Sequence, residues 1–298
     1  MDQYDKPFKT IDEQISYLQE VHGLTINDVD FAKKVLLTLS YYDLVNGYKT
    51  ELMDNEKFKD NITIEYLSNL HMLDKDFQNI LFKNSMLIEN IFKTKLAYVL
   101  SQNFGVDDND YLSNTHYLPC KGNLQFSSVK RAFLNVYLDE NDQEKPEKTI
   151  EQPTSHYAYH HNHIPSWIIL RNVSFSNAIN LFRLMNGKEK KEVVELMVLD
   201  NDVDISDKLN FVVPALNLIR RFRNVIAHNL KFVKHAEPRY RLPKQSFKKI
   251  AGISIGKKHE GDVYVCVLAI LILLDSNILR EKFVCDLEQV FMTDKKKI

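Results

Sequence analysis

The chain is 298 residues long, 44% hydrophobic and 27% charged, with a formal net charge of −1. That length and balance suit a soluble globular protein with one large core or two small ones, and near-neutrality means that any nucleic-acid surface must come from local clustering of charge. Three cysteines far apart, Cys120, Cys266 and Cys285, argue against a zinc site or a disulfide framework and fit a reducing compartment. The opening Met-Asp-Gln-Tyr-Asp-Lys is no signal peptide, and the longest apolar run, Val263 to Leu274, falls well short of the roughly 20 residues a membrane span needs. The expected location is therefore the cytoplasm, with no membrane contact. Only eight glycines and eight prolines favour long helices, and the predicted class is all-α.

Residues 1–60 read as an N-terminal helical module. Thr10 with Glu13 three residues on is a capping box, and Ile11, Ile15 and Leu18 give the first helix its apolar stripe before His22-Gly23. Asn27 or Asp28 starts a second helix through Val35, Leu36 and Leu39 to Asn46-Gly47. Tyr41, Tyr42, Tyr48 and Lys49 either form an aromatic, basic surface for RNA or pack the module on the main bundle.

Residues 61–298 read as one helical bundle. Its first helix spans about Ile64 to Asn103, with a break placed near Asp74. On a helical wheel Glu89 falls among Leu81, Phe82, Ser85, Ile88, Phe92, Leu96, Val99 and Leu100. A lone carboxylate there is expensive, so it must protonate, find a cation or escape at a bend. From Asn109 to Pro153 the helical signal fades, and the acidic stretch Asp139 to Gln152 reads as a surface loop or mobile insert. His156, His160, His161 and His163 raise the question of a metal, but no cysteine lies near and adjacent imidazoles share an ion poorly; a loop histidine on phosphate is the better alternative. No metal or other cofactor is expected. Pro165 then opens a helix whose stripe runs through Trp167, Ile168, Leu170, Phe175, Ile179, Phe182 and Met185 to Asn186-Gly187, and a short charged helix follows near Lys188 to Leu199.

The next helix carries the pattern that matters most. Pro214 suits its first turn, and Val212, Leu216, Ile219, Phe222, Ile226 and Leu230 make one apolar arc over about four turns. Asn217, Arg220, Arg221, Asn224 and His228 share the other face, with Asn224 and His228 one turn apart. Arg223 falls inside the apolar arc, so its charge must snorkel out or meet a buried partner. Glu89 has the mirror problem, and the two are expected to meet between packed helices, with the carboxylate fixing the guanidinium at the floor of a site. Behind this helix lies a basic insert near 231–262, a loop or short hairpin before the last core helix. Lys231, Lys234, Arg239, Arg241, Lys244, Lys248, Lys249, Lys257 and Lys258 stand there against Glu237, the one acid up to residue 258. With Tyr240 and Phe247 interleaved, the segment reads either as a nucleic-acid-binding surface, with Arg220 and Arg221 beside it, or as a solvated loop.

Arg223-Asn-Val-Ile-Ala-His228 resembles the R-N-x-x-x-H signature of the HEPN superfamily, helical-bundle proteins that are often metal-independent RNases. Four further segments, in order, resemble the Abi family of abortive-infection proteins, AbiD/AbiF type. They are Lys6 to Leu18, Ser40-Tyr-Tyr-Asp-Leu-Val-Asn-Gly-Tyr-Lys49, Ile88 to Tyr98, and His163-Ile-Pro-Ser-Trp-Ile-Ile-Leu170. The resemblance implies a HEPN-type bundle with an N-terminal helical extension, and an endoribonuclease toxin of bacterial antiphage defence. It also implies a glutamate serving the motif arginine, a homodimer, and restraint by a small structured RNA encoded nearby.

RNA cleavage by its own 2′-hydroxyl needs a base, an acid for the leaving 5′-oxygen and a cation for the extra charge on phosphorus. His228 can move the proton, Arg223 can clamp phosphate oxygens and Asn224 can orient either the imidazole or the phosphate. A homodimer pairing two such helices would supply the second imidazole. The expected products are a 2′,3′-cyclic phosphate and a 5′-hydroxyl, with DNA resistant for want of the attacking group. A second reading keeps the bundle and drops catalysis, leaving a helical RNA-binding or scaffold protein of a defence or toxin–antitoxin system. A third is a toxin neutralised by a partner nucleotidyltransferase.

Overall fold

Thr10 sets the start of the first helix: its hydroxyl accepts the Glu13 N–H at 3.3 Å while Glu13 Oε2 accepts the Thr10 N–H at 2.7 Å, closing the capping box. The structure, a computed structural model, describes residues 6–200, 202–228, 236–237 and 239–294. Its helices in chain order are α1 (Ile11–Glu20), α2 (Val29–Leu39), α3 (Lys49–Leu52), α4 (Ile64–Phe104), α5 (Asp108–Tyr111), α6 (Phe126–Leu134), α7 (Thr154–His160), α8 (Ser166–Asn172), α9 (Phe175–Leu184), α10 (Gly187–Met197), α11 (Ile205–Ala227), α12 (Lys244–Ala251), α13 (Val263–Leu273) and α14 (Asn277–Asp294). Two antiparallel hairpins of two-residue strands, β1 (Met53–Asp54) with β2 (Lys57–Phe58) and β3 (Cys120–Lys121) with β4 (Leu124–Gln125), are its only sheets among the described residues. The protein is an all-α bundle, and none of its described helices is long and apolar enough to cross a membrane.

The chain divides into two compact units, one built from the stretch up to Ile80 with the stretch from Val284, the other from Leu81–His228 with the chain on to Phe283. In the first, Ile15, Leu18, Ala32, Leu36, Leu44 and Leu67 form one apolar cluster. Helix α2 stops at Leu39 and not at Asn46-Gly47, because Ser40 adopts φ 63 and its hydroxyl then accepts the Asp43 N–H at 3.2 Å. The chain goes on as a π-turn over Tyr42–Asn46, closed by the Gly47 N–H on the Tyr42 carbonyl at 3.2 Å. Glycine is required there: a Cβ on Gly47 would lie 2.2 Å from the Asp43 carbonyl oxygen. The tyrosines take opposite roles. Tyr48 is buried with its hydroxyl 3.4 Å from His71 Nδ1, whereas Tyr42 is 70% exposed.

Helix α4 runs 41 residues without the break expected at Asp74. Asp74 is buried within the helix, and its Oδ2 accepts from Gln78 Nε2 one turn on, at 2.8 Å, a contact made along the helix that carries it past this polar residue. In the second unit the later turns of α4 anchor the bundle. Phe92 packs on Phe175 and Phe182 of α9, with ring centroids 6.2 and 5.6 Å away, and Ser166 Oγ donates to the Ala97 carbonyl at 2.9 Å. Sequence reading underestimated this unit in two places, since α6 sits where the helical signal faded and α8 and α9 are separate helices, α9 capped by Ser174. The acidic stretch from Asp139 is a surface loop pinned by an ion pair between Arg131 and Asp142 and by Ile150, which is buried.

Helix α11 packs against α9, α10, α12 and α13. It begins at Ile205, so Pro214 lies inside the helix and not in its first turn. Phe211, Val212, Ala215 and Leu216 flank the proline and are fully buried. At roughly 1.5–3 kcal/mol for each large apolar side chain, their burial offsets the roughly 3 kcal/mol a mid-helix proline costs. Among its described residues the basic insert is likewise no hairpin: it contains the helix α12, whose Phe247 is buried against Phe211 of α11 with ring centroids 6.2 Å apart. Leu230, Lys231 and Lys234 lie outside the described residues.

Candidate active site

Arg223 emerges from the last two turns of α11 and donates from Nη1 to Glu89 Oε2 of α4 at 2.7 Å. Glu89 also holds Lys93, one turn further along α4, through its other oxygen at 2.7 Å. Lys93 in turn donates to the Val173 carbonyl at 2.6 Å, where α8 hands over to α9. The three side chains are only 16% (Glu89), 28% (Arg223) and 13% (Lys93) exposed, so the ion pairs are poorly screened and each charge needs the others. An arginine whose Nη1 is bonded this way keeps its plane fixed and has further N–H donors for a second acceptor.

These residues line a cleft of about 560 Å³. Phe82, Met86, Glu89, Asn90 and Lys93 of α4 make one wall, Trp167 and Arg171 of α8 another, and Arg223 closes it from α11. Sequence reading missed Lys93, Asn90, Trp167 and Arg171 as companions of Glu89 and Arg223. The available signals were that Lys93 is four residues beyond Glu89 and that Trp167 and Arg171 share a helix face at the same spacing.

Asn224 and His228 do not line this cleft among its described residues. Asn224 is half-buried, and its carbonyl accepts the N–H of His228, the exposed C-cap of α11, at 3.1 Å. The Arg223 and His228 side chains therefore leave the end of one helix in different directions, the first toward a cleft and the second toward solvent.

The expected nucleic-acid residues split into pairs within the chain. Arg221 donates to Glu237 at 3.0 Å and lies over the Tyr240 ring, 5.6 Å from its centroid. Arg241, at 2.8 Å, and Lys244 both meet Glu260. Lys249 reaches Asp207 at 2.6 Å, a carboxylate that also accepts from Ser246 at 2.8 Å. The Lys249 ammonium, then the Ser246 hydroxyl, hold Asp207 below the usual carboxylate range, and Asp207 raises Lys249 in return. Arg239 and Lys248 are exposed, and Arg220 is half-buried. Much of the basic bias is thus neutralised by three acids, Glu237 and Glu260 within the insert and Asp207 on α11. The histidines on and after α7 do cluster, His156 and His160 with ring centroids 4.9 Å apart, but among the described residues no group of three or more His, Cys, Asp or Glu is placed to hold a metal.

The fold and the site together define an all-α bundle in which an arginine of one helix and a glutamate of another pair beside a cleft, with an asparagine and a histidine following the arginine. Comparison with known families makes this specific: the profile described as Abi-like protein matches residues 34–233, more than half of the chain, and the protein belongs to that family. Membership suggests a role in abortive-infection defence. A search of curated proteins and one of solved structures found no match.

Proposed function

We propose that this Abi-like protein is a metal-independent RNA endonuclease of HEPN type, acting as a toxin in antiphage defence. The observation that supports the reading most directly is the Glu89–Arg223 ion pair at 2.7 Å in the cleft of about 560 Å³, with Asn224 and His228 completing the last turn of the same helix. In this scheme Arg223 clamps the scissile phosphate, its plane set by Glu89. His228 takes the 2′-hydroxyl proton, and Asn224 orients the imidazole or the phosphate. The chemistry asks for no metal and no cofactor. Because one imidazole serves one proton transfer at a time, the active form is a homodimer in which the exposed His228 of each copy faces the other across bound RNA. Arg220, Arg239 and Lys248 would carry the flanking phosphates, and a small RNA is the proposed restraint.

A second reading, an RNA-binding scaffold, is favoured by one observation: Asn224 and His228 stand apart from the cleft that holds Arg223. Incubation of the purified protein with end-labelled RNA in EDTA separates the two. The nuclease reading expects cleavage with 2′,3′-cyclic phosphate ends that is lost in Arg223→Ala and in His228→Ala. Intact RNA with the wild-type protein, dimeric and free of inhibitor RNA, would overturn it.

A further inference from the structure

Trp167 is the only tryptophan in the chain, and it is 47% exposed rather than in the core. A half-open indole on the wall of a cleft offers one ring face for stacking. Arg171 lies one turn beyond it on α8, donates to Asn90 Oδ1 at 3.3 Å across the cleft, and is itself exposed. Around that cleft stand three cations, Lys93, Arg171 and Arg223, against the one carboxylate Glu89. Lys93 and one donor of Arg223 are committed to Glu89, which leaves the Arg171 fork and the rest of the Arg223 guanidinium as unneutralised charge. A ligand fitting this surface needs a flat π-face for Trp167 and an anionic group within a helical turn of it.

We infer that the cleft is a nucleotide subsite: an unstacked base lies on the Trp167 ring while its phosphate is held by Arg171 and reaches toward Arg223. Residues four apart on a helix have Cβ atoms about 5–6 Å apart, which is the scale separating a base from its own phosphate. Stacking on an aromatic face tolerates any base, so the subsite selects single-stranded nucleic acid without reading sequence. The inference deepens the nuclease reading by naming where the strand is gripped, and it rests on that reading only for the identity of the strand.

The single tryptophan makes the test direct. A 2′-O-methyl hexaribonucleotide, which lacks the attacking hydroxyl, is titrated into the full-length wild-type protein while Trp167 emission is followed. The same oligonucleotide, labelled, is followed by anisotropy with Trp167→Ala, Trp167→Phe and Arg171→Ala. Saturable quenching is expected, with about tenfold weaker binding for Trp167→Ala and Arg171→Ala, and with Trp167→Phe within about threefold of wild type. Emission unmoved by saturating oligonucleotide, together with unchanged affinity in all three variants, overturns the inference. If Trp167→Ala does not fold, wild-type quenching and Trp167→Phe still decide the matter. A mononucleotide that quenches as strongly at equal concentration supports the same subsite with a free nucleotide as its ligand. Cleavage of unmodified RNA that depends on His228 but not on Trp167 or Arg171 removes the subsite and leaves the nuclease. Quenching without cleavage does the reverse.

Discussion

Replacing Glu89 by alanine should destabilise the second unit more than replacing Arg223 does, because Glu89 serves two cations and Arg223 serves one carboxylate. A charge-assisted hydrogen bond contributes about 1.5–3 kcal/mol net, and breaking a buried pair from one side costs about 3–5 kcal/mol. The groups here are 16% and 28% exposed, which moves the values toward the lower end. Glu89→Ala strands both Arg223 and Lys93, and we expect a loss of about 3 kcal/mol. Arg223→Ala leaves Glu89 still paired with Lys93 at 2.7 Å, and the expected loss is about 1–2 kcal/mol. The double variant should show a coupling energy of about 1.5 kcal/mol, since the second removal no longer leaves an unpaired charge. Urea unfolding followed by Trp167 emission reports on the right unit, because that tryptophan lines the same cleft as the ion pair. Equal losses from the two single variants, adding within about 0.5 kcal/mol in the double, would show that the pair is solvent-screened and that Glu89 does not hold Arg223 in place.

Three further perturbations reach other parts of the fold. Gly47→Ala drives a methyl to 2.2 Å from the Asp43 carbonyl oxygen in the π-turn and should cost about 1–3 kcal/mol as overpacking; a melting temperature equal to wild type would refute the steric argument. Pro214→Ala restores a backbone donor inside α11, where proline and alanine differ by about 3 kcal/mol, and should stabilise by about 1–2 kcal/mol after loss of the half-buried ring; a lowered urea midpoint would show that the ring's packing outweighs the hydrogen bond. Lys190 is pushed down to about 8 by burial first, and then by Lys121 and Arg183. Its folded-state value lies below the unfolded one, so between about pH 8 and 10.5 the unfolded chain binds more protons and stability from this group rises with pH. Lys190→Met should therefore stabilise at pH 7 and lose that advantage by pH 10. A gain that persists at pH 10 would place the effect in packing and not in charge.

The parts of the fold that were legible are those where one residue violates the pattern around it. Glu89 and Arg223 each sat on the wrong side of an amphipathic wheel, and the physical cost of a lone charge there pointed to a partner of opposite sign. They lie 2.7 Å apart although 134 residues separate them in sequence. Thr10 with Glu13 and Asp28 were legible for the same reason, since a cap is a local chemical requirement met by residues three apart. What could not be read were features whose distant partner leaves no misplaced residue in the local pattern. The insert after α11 looks strongly basic up to residue 258, but its Lys249 meets Asp207, 42 residues earlier in the chain, and its Lys244 meets Glu260 just past that stretch. Phe247 turns the same stretch into a helix because Phe211 offers it a buried surface, and lysine spacing carries no trace of that surface. Pro214 misled in the same way: as a local signal it marks a helix start, and only the buried residues on both sides of it carry the helix through.

The cleft follows the same logic one step further. Trp167 and Arg171 fall on one face of a seven-residue helix, too short to show a period of its own, and nothing local says whether that face is covered. It becomes a site only because Glu89 draws Lys93 and Arg223 toward the opposite wall, which leaves Arg171 as the cation in the cleft with the fewest claims on it. An anion entering there meets a charge already oriented by Asn90 and a ring with a face open for stacking, at no cost to the ion pair. That division of labour, Arg223 shared between the fold and the phosphate and Arg171 kept for the ligand alone, predicts that Arg171→Ala should weaken oligonucleotide binding while leaving the urea midpoint within about 0.5 kcal/mol of wild type, as for surface substitutions. Arg223→Ala should move both. If Arg171→Ala instead unfolds the unit as readily as Arg223→Ala, the two arginines are structural alike and the cleft has no cation to spare for a phosphate.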